Sequence, residues 1–173
     1  LMIRRPPRST LDRASAASDV YKRQDLSAGD TPHTRESVGA AVDKCYPAFE
    51  LIEDRDADYD QLNPFDSVSE NAWNAGVVLG SPFLTWQDLD LVNTPTVLEV
   101  NGEVLGSGQT GDALGHPFEA VAWLANHLNE RGQSIRTGEF VMTGSTVITY
   151  FPQAADQVKF SVGDYGSVEL ACS

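Results

Sequence analysis

The chain predicts an α+β fold, a rolled and mostly antiparallel β-sheet carrying two main helices. Three observations predict it. Asn101-Gly102 sits between two β-branched apolar runs and is the strongest short-range hairpin signal. Four short strand patterns crowd residues 139–172. Only two stretches carry apolar residues at helical spacing, so the chain is mostly strand.

The elements follow in chain order. Residues 1–24 differ from the rest. Arg4, Arg5, Arg8, Arg13, Lys22 and Arg23 stand against Asp12 and Asp19, a net of +4; removing it from the whole-chain −13 leaves −17 for the remainder. The segment is rich in Arg, Pro and Ser and has no helix or strand period, so it reads as a disordered arm outside the fold. A transit peptide is a second reading. In a third, Ile3-Arg4-Arg5-Pro6-Pro7-Arg8-Ser9-Thr10 and Ala16-Ala17-Ser18-Asp19-Val20-Tyr21-Lys22-Arg23-Gln24 resemble translated sequencing-adapter sequence fused to a truncated reading frame. Such fusion scars are excluded from fold reasoning, which leaves residues 25–173 as the domain.

Thr34 can cap a helix running to about Cys45, with Glu36 near its positive dipole end. Val38, Ala41, Val42 and Cys45 would face the core, and Pro47 would stop the helix. Phe49-Glu50-Leu51-Ile52 is a short strand signal. Residues 53–70 are polar and acidic and read as a long loop. Asn74 to Leu79 returns to a buried strand. Thr96 to Val100 and Glu103 to Gly106 form the hairpin. Pro117 opens the second helix, whose apolar face is Val121, Leu124, Ala125 and Leu128, and Arg131-Gly132 ends it. Strands follow at 139–143, 146–151, 157–162 and 167–172.

Composition narrows the function. A chain of 173 residues with 41% hydrophobic content supports one ordinary domain. The net charge of −13 argues against nonspecific binding to nucleic acid or anionic membranes, since both are polyanions. No apolar run approaches the ~20 residues that span a bilayer. Cys45 and Cys172 fit no metal or redox spacing, which suits a reducing cytoplasm, although a disulfide between them stays open.

Several motifs invite chemistry. Gly106-Ser107-Gly108-Gln109-Thr110-Gly111 spells GxGxxG, but a dinucleotide site needs the third glycine to enter a helix within a βαβ unit. It reads better as a flexible loop with glycines free to take positive φ, where Gln109 and Thr110 can hydrogen-bond a substrate. Asp54, Asp56, Asp58 and Asp60 imitate an EF-hand, yet Tyr59 replaces the sixth-position glycine and Phe65 the twelfth-position glutamate. His116 reads as a structural histidine before the helix. Thr143-Gly144-Ser145 is either a turn or part of a pocket wall.

The order Asn101-Gly102-Glu103, a glycine-rich loop, Gly115-His116-Pro117 and Trp123-Leu124-Ala125-Asn126 resembles the C-terminal half of the fumarylacetoacetate hydrolase superfamily. The branch it is most similar to is the 2-keto-4-pentenoate hydratases and 4-oxalocrotonate decarboxylases. The resemblance spans about residues 25–173 and includes Pro47-Ala48-Phe49-Glu50, Asn71-Ala72, Thr137-Gly138-Glu139 and Met142-Thr143-Gly144-Ser145. It implies that Glu50 is the third carboxylate of a site for Mg²⁺ or Mn²⁺, hard ions that favour oxygen ligands. The other two ligands would come from an ExE pair on an earlier strand, where i and i+2 share a face. No ExE occurs in residues 1–49, and the family's upstream lysine is missing too.

The resemblance further implies that Gly108, Gln109, Thr110 and Thr143 line the substrate pocket, with Glu50 facing the same cavity. Arg55 would clamp a substrate carboxylate or, better, brace the loop. Where many relatives have serine after Asn-Ala, this chain has Trp73 and then Asn74, and Glu70 stands at the family's preceding aspartate. The implied parent is a cytoplasmic, homo-oligomeric lyase hydrating a small 2-oxo or 2-hydroxydienoic acid from aromatic breakdown. Decarboxylation of a 2-oxo-diacid comes second, and isomerase or C–C hydrolase chemistry third. A noncatalytic binding or oligomerisation domain is the reading from another class.

Overall fold

The computed structural model describes residues 13–22, 24–55, 57, 58 and 60–173, the first segment as backbone only. Two four-stranded sheets form the frame. One has the order β3-β2-β1-β6, from Asn74–Leu79, Val42–Ile52, Arg13–Lys22 and Phe140–Ser145. The other has the order β5-β4-β7-β8, from Glu103–Gln109, Pro95–Val100, Gln157–Val162 and Gly166–Ala171. All six strand pairings are antiparallel, as an α+β chain of this pattern requires.

The apolar periodicities explain how the sheets meet. Phe49 and Leu51 alternate inward on β2, and Val158, Phe160 and Val162 do so on β7. The Phe49 and Phe160 rings lie 6.3 Å apart, so the two sheets share one core. Helices α1 (Arg35–Ala41) and α3 (Pro117–Asn129) add Val38, Phe118, Val121 and Ala125 to it. The Asn101-Gly102 turn has both residues at positive φ, the type I′ geometry that suits right-twisted strands. A buried carboxylate just before β7 fixes that turn to the neighbouring strand. Asp156 accepts from Asn101 Nδ2 at 2.9 Å, from the Tyr150 hydroxyl at 2.7 Å and from Gln153 N at 2.7 Å. The Tyr150 hydrogen bond, first among these, holds the Asp156 carboxyl below its usual range. The same bond pushes Tyr150 up to about 12.

Four expectations need correction. The first concerns residues 1–24. Arg13–Lys22 is a strand inside the first sheet, paired along its whole length with β2 and also with β6. It is therefore no disordered arm. Its small and polar residues carry little local period, whereas a strand between two others is fixed by non-local ladder hydrogen bonds. The remainder of that expectation, residues 1–12 and 23, lies outside the described residues.

The second concerns α1, which is capped by Thr34 as expected but ends at Ala41 rather than near Cys45. Val42 turns extended and begins β2, and Pro47 lies within that strand. The third concerns residues 53–70, which contain a short helix α2, Pro64–Ser69. Asn63 caps it, Pro64 occupies its first turn, and Asp66 completes a capping box. The fourth concerns residues 146–151. They form no continuous strand, and instead pass over β5.

Candidate functional site

Glu50 sits on β2 between Phe49 and Leu51, so it projects on the face opposite to the core. It is half-buried. Its carboxylate oxygen Oε1 accepts a hydrogen bond from Asn74 Nδ2 at 2.9 Å. The positioning of Asn74 is unusual. Asn71, Ala72 and Trp73 all lie at φ between 50° and 59°. Left-handed residues cost roughly 1–2 kcal/mol each outside glycine, so three in a row are a strained turn. That turn delivers the chain to β3, where the register shifts between Leu51/Gly76 and Ile52/Asn74. The bulge places Asn74 opposite Ile52, as the diagonal neighbour of Glu50.

Arg55 also takes positive φ, and its Nη1 meets Glu70 Oε2 at 2.5 Å. It braces the loop through Glu70, on groups that are partly exposed.

The second group of candidate residues clusters around β5. The expected flexible loop proves to be ordered: Gly106 to Gln109 belong to β5, and Thr110–Asp112 form a single 3-10 turn. Neither Gly106 nor Gly108 has positive φ, and Gly108 is needed for space. A Cβ at Gly108 would lie 2.1 Å from the Thr146 carbonyl oxygen and 2.7 Å from Asp112 Oδ2. A Cβ on Gly144 would lie 3.0 Å from the Ala113 Cβ. Residues 143–146 thus pack on 108–113. Thr94, Thr96, Thr110, Thr143 and Thr146 are all buried. The Thr110 hydroxyl donates to the Asp90 carbonyl at 3.2 Å, leaving its lone pairs for a ligand. The hydroxyls of Thr96 and Thr146 are buried without a hydrogen-bond partner among the described residues. Composition and periodicity give no sign of this threonine set, because its members come from three separate elements and the residues flanking two of them.

The structure therefore brings Gly108, Gln109 and Thr110 beside the segment that carries Thr143. Glu50 and Arg55 form a separate group. β1 stands between β2 and β6, and strands two apart lie roughly 10 Å from each other. Among the described residues, no group of three His, Cys, Asp or Glu side chains is placed to hold a metal ion. The residues described thus do not fit Mg²⁺, which needs several oxygen ligands. No helix among them is long and apolar enough to cross a membrane.

His116 is the N-cap of α3. Its Nδ1 accepts from Phe118 N at 3.0 Å, and its ring packs edge-on against Phe118 at 5.2 Å. Burial, aided by the charge of Arg35, lowers its pKa. Because the folded value lies below the unfolded ~6.5, the cap contributes fully above that pH and is lost as pH falls further, through the folded value. Replacing His116 with Ala is expected to cost about 1 kcal/mol at pH 8. Thermal unfolding at pH 8 and pH 5.5 checks this: the loss should shrink at the lower pH.

The family model described as fumarylacetoacetate (FAA) hydrolase C-terminal matches residues 27–171. The chain is 35% identical over 131 residues to a 4-oxalocrotonate decarboxylase of Pseudomonas putida, covering 76% of this chain and 49% of the relative. It is 34% identical over 136 residues to a 2-keto-4-pentenoate hydratase of Burkholderia vietnamiensis, covering 79% and 52%. The chain spans about half the length of the curated relatives it matches. Among solved structures it resembles the 4-oxalocrotonate decarboxylase from Pseudomonas putida G7 complexed with magnesium and adipate. The TM-score is 0.83 at 30% identity, over 93% of this chain and 60% of that one.

Proposed function

Because this chain belongs to the fumarylacetoacetate hydrolase C-terminal family, we propose that its complete parent is a divalent-metal-dependent lyase. The parent hydrates a small 2-hydroxydienoate or 2-oxo-enoate acid, of the kind formed in aromatic catabolism. The observation that carries this reading is the buried threonine set around Gly108. Among the described residues Thr96 and Thr146 keep hydroxyls without a hydrogen-bond partner, and such groups are satisfied by a ligand or water. The carboxylate and keto oxygens of a 2-oxo acid are matching acceptors. We assign Gly108, Gln109, Thr110 and Thr143 to the substrate, with Arg55 bracing the adjoining loop.

The relatives that support this reading are named for two chemistries, so decarboxylation of a 2-oxo-diacid is the alternative. We assign the metal, Mg²⁺ or Mn²⁺, to the complete protein, with Glu50 as one ligand; a neighbour solved with magnesium supports Mg²⁺. We read the parent as cytoplasmic, and its assembly as a homo-oligomer. Exposed Val104, Leu105, Ile148 and Phe151 support that last point.

The test is to assay the complete parent with Mg²⁺ on 2-hydroxypenta-2,4-dienoate and on 4-oxalocrotonate. Loss of the dienoate's absorbance without CO₂ release supports the hydratase. CO₂ release from 4-oxalocrotonate alone moves the assignment to the decarboxylase. Inertness towards both overturns the lyase reading.

A further inference from the structure

We infer that Glu50 of this chain is held by Asn74 in place of a cation, and that one atom of Asn74 decides between the two states. On β1 the residue directly opposite Glu50 is Ser15, with Arg13 and Ala17 at the neighbouring same-face positions. On β3 the direct partner is Val77, with Leu79 opposite Ala48 and Asn74 opposite Ile52. None of these residues is Asp, Glu, His or Cys. Among the described residues, the Asn74 amide reaches the carboxylate and satisfies one oxygen as a neutral donor.

Asn74 does not arrive there through regular strand geometry. The turn Asn71–Trp73, with three residues at positive φ, and the register shift at the start of β3 both act to aim it. Glu53 N also donates to the Trp73 carbonyl at 2.9 Å, tying the turn to the end of β2. Asn74 is thus built in as the partner of Glu50.

The separation has a chemical consequence. Asn74 Nδ2 and Glu50 Oε1 are 2.9 Å apart. Two oxygens bound to one Mg²⁺ or Mn²⁺ at about 2.1 Å sit roughly 3 Å from each other in an octahedron. Exchanging the amide nitrogen for oxygen, as in Asn74→Asp, would replace a donor–acceptor pair with two carboxylate oxygens at that spacing. Two like charges so close repel unless a cation lies between them. The substitution should therefore turn a hydrogen bond into a cation site, with water completing the shell.

The inference rests on Glu50 belonging to the proposed site, but its test uses the chain as it stands. The experiment titrates the full chain with Mn²⁺ and follows the free-ion EPR signal. The wild type should leave the signal undiminished to millimolar Mn²⁺. Asn74→Asp should bind Mn²⁺ at least tenfold more tightly than wild type, and the double substitution with Glu50→Gln should abolish the gain. Circular dichroism monitors folding of each variant. Micromolar Mn²⁺ binding by the wild type, lost in Glu50→Ala, would overturn the inference even if Asn74→Asp failed to fold. So would equal binding by wild type and a folded Asn74→Asp. Neither result touches the turnover of the complete parent, so failure here and failure of the proposed function are told apart.

Discussion

The chain Leu1–Ser173, assayed with excess Mg²⁺ on 2-hydroxypenta-2,4-dienoate, is expected to turn over at least about a thousandfold more slowly than its complete parent. The reason lies in ligand count. Glu50 offers two oxygens, one of them already accepting from Asn74. Six-coordinate Mg²⁺ gains little from exchanging one water for a single carboxylate. The strand beside Glu50 places Arg13, Ser15 and Ala17 at the same-face positions, where a second and third carboxylate would be required.

A divalent ion stabilises charge developing on a substrate oxygen by several kcal/mol, and each ~1.4 kcal/mol is a factor of ten in rate. Losing about 4 kcal/mol of that stabilisation gives the thousandfold. On the proposed assignment the threonine set around Gly108 would still bind and orient a small acid, so weak substrate binding without turnover is the expected companion result. Parent-like turnover by the chain, retained after Glu50→Ala, would show that the chemistry does not pass through this carboxylate. The comparison also separates the two halves of the reading, because binding and turnover depend on different groups of residues.

What the sequence made legible was local. Asn101-Gly102 encodes its own turn, because positive φ at two successive positions admits few residues. Pro117 marks the first turn of α3 for an equally local reason. What it hid was non-local. Arg13–Lys22 becomes a strand through ladders to β2 and β6, and no property of its ten residues announces that. The end of α1 was hidden for the same reason, since Val42 to Cys45 suit a helix face and a paired strand equally. Helix α2 was legible but missed: Asn63, Pro64 and Asp66 are a capping signal inside a stretch whose acidity suggested a loop.

In the candidate site, Glu50 could be singled out from Pro47-Ala48-Phe49-Glu50, but its partner could not. Asn74 reaches it through a strained turn and a bulge, which depend on the chain around them. The glycines of β5 were noticed for the wrong property. The pattern suggests conformational freedom, whereas the structure uses the missing side chain of Gly108.

Replacing Gly108 with Ala should destabilise the chain by about 3 kcal/mol, at the upper end of what overpacking costs. Its backbone tolerates alanine, because its φ is not positive. The space does not. The added Cβ would lie 2.1 Å from the Thr146 carbonyl oxygen and 2.7 Å from Asp112 Oδ2. Neither neighbour yields easily. The first is main chain following β6, and the second is anchored by the Gln109 N–H at 2.8 Å.

Gly106 is the internal control, two residues away on the same strand. A Cβ there meets Ile148 Cγ1 at 3.4 Å, ordinary contact with a side chain that can shift. Gly106→Ala should therefore change stability by less than about 1 kcal/mol. Thermal unfolding distinguishes the two. At roughly 2–4 °C per kcal/mol for a chain of this size, Gly108→Ala should lower Tm by about 6–12 °C and Gly106→Ala by no more than about 4 °C. In the complete parent, Gly108→Ala should also raise KM, because it pushes residues 143–146 away from the threonine set. Equal melting of the two variants would mean that the Thr146 segment does not rest on Gly108, and the assignment of Thr143 and Gly108 to one pocket would fall with it.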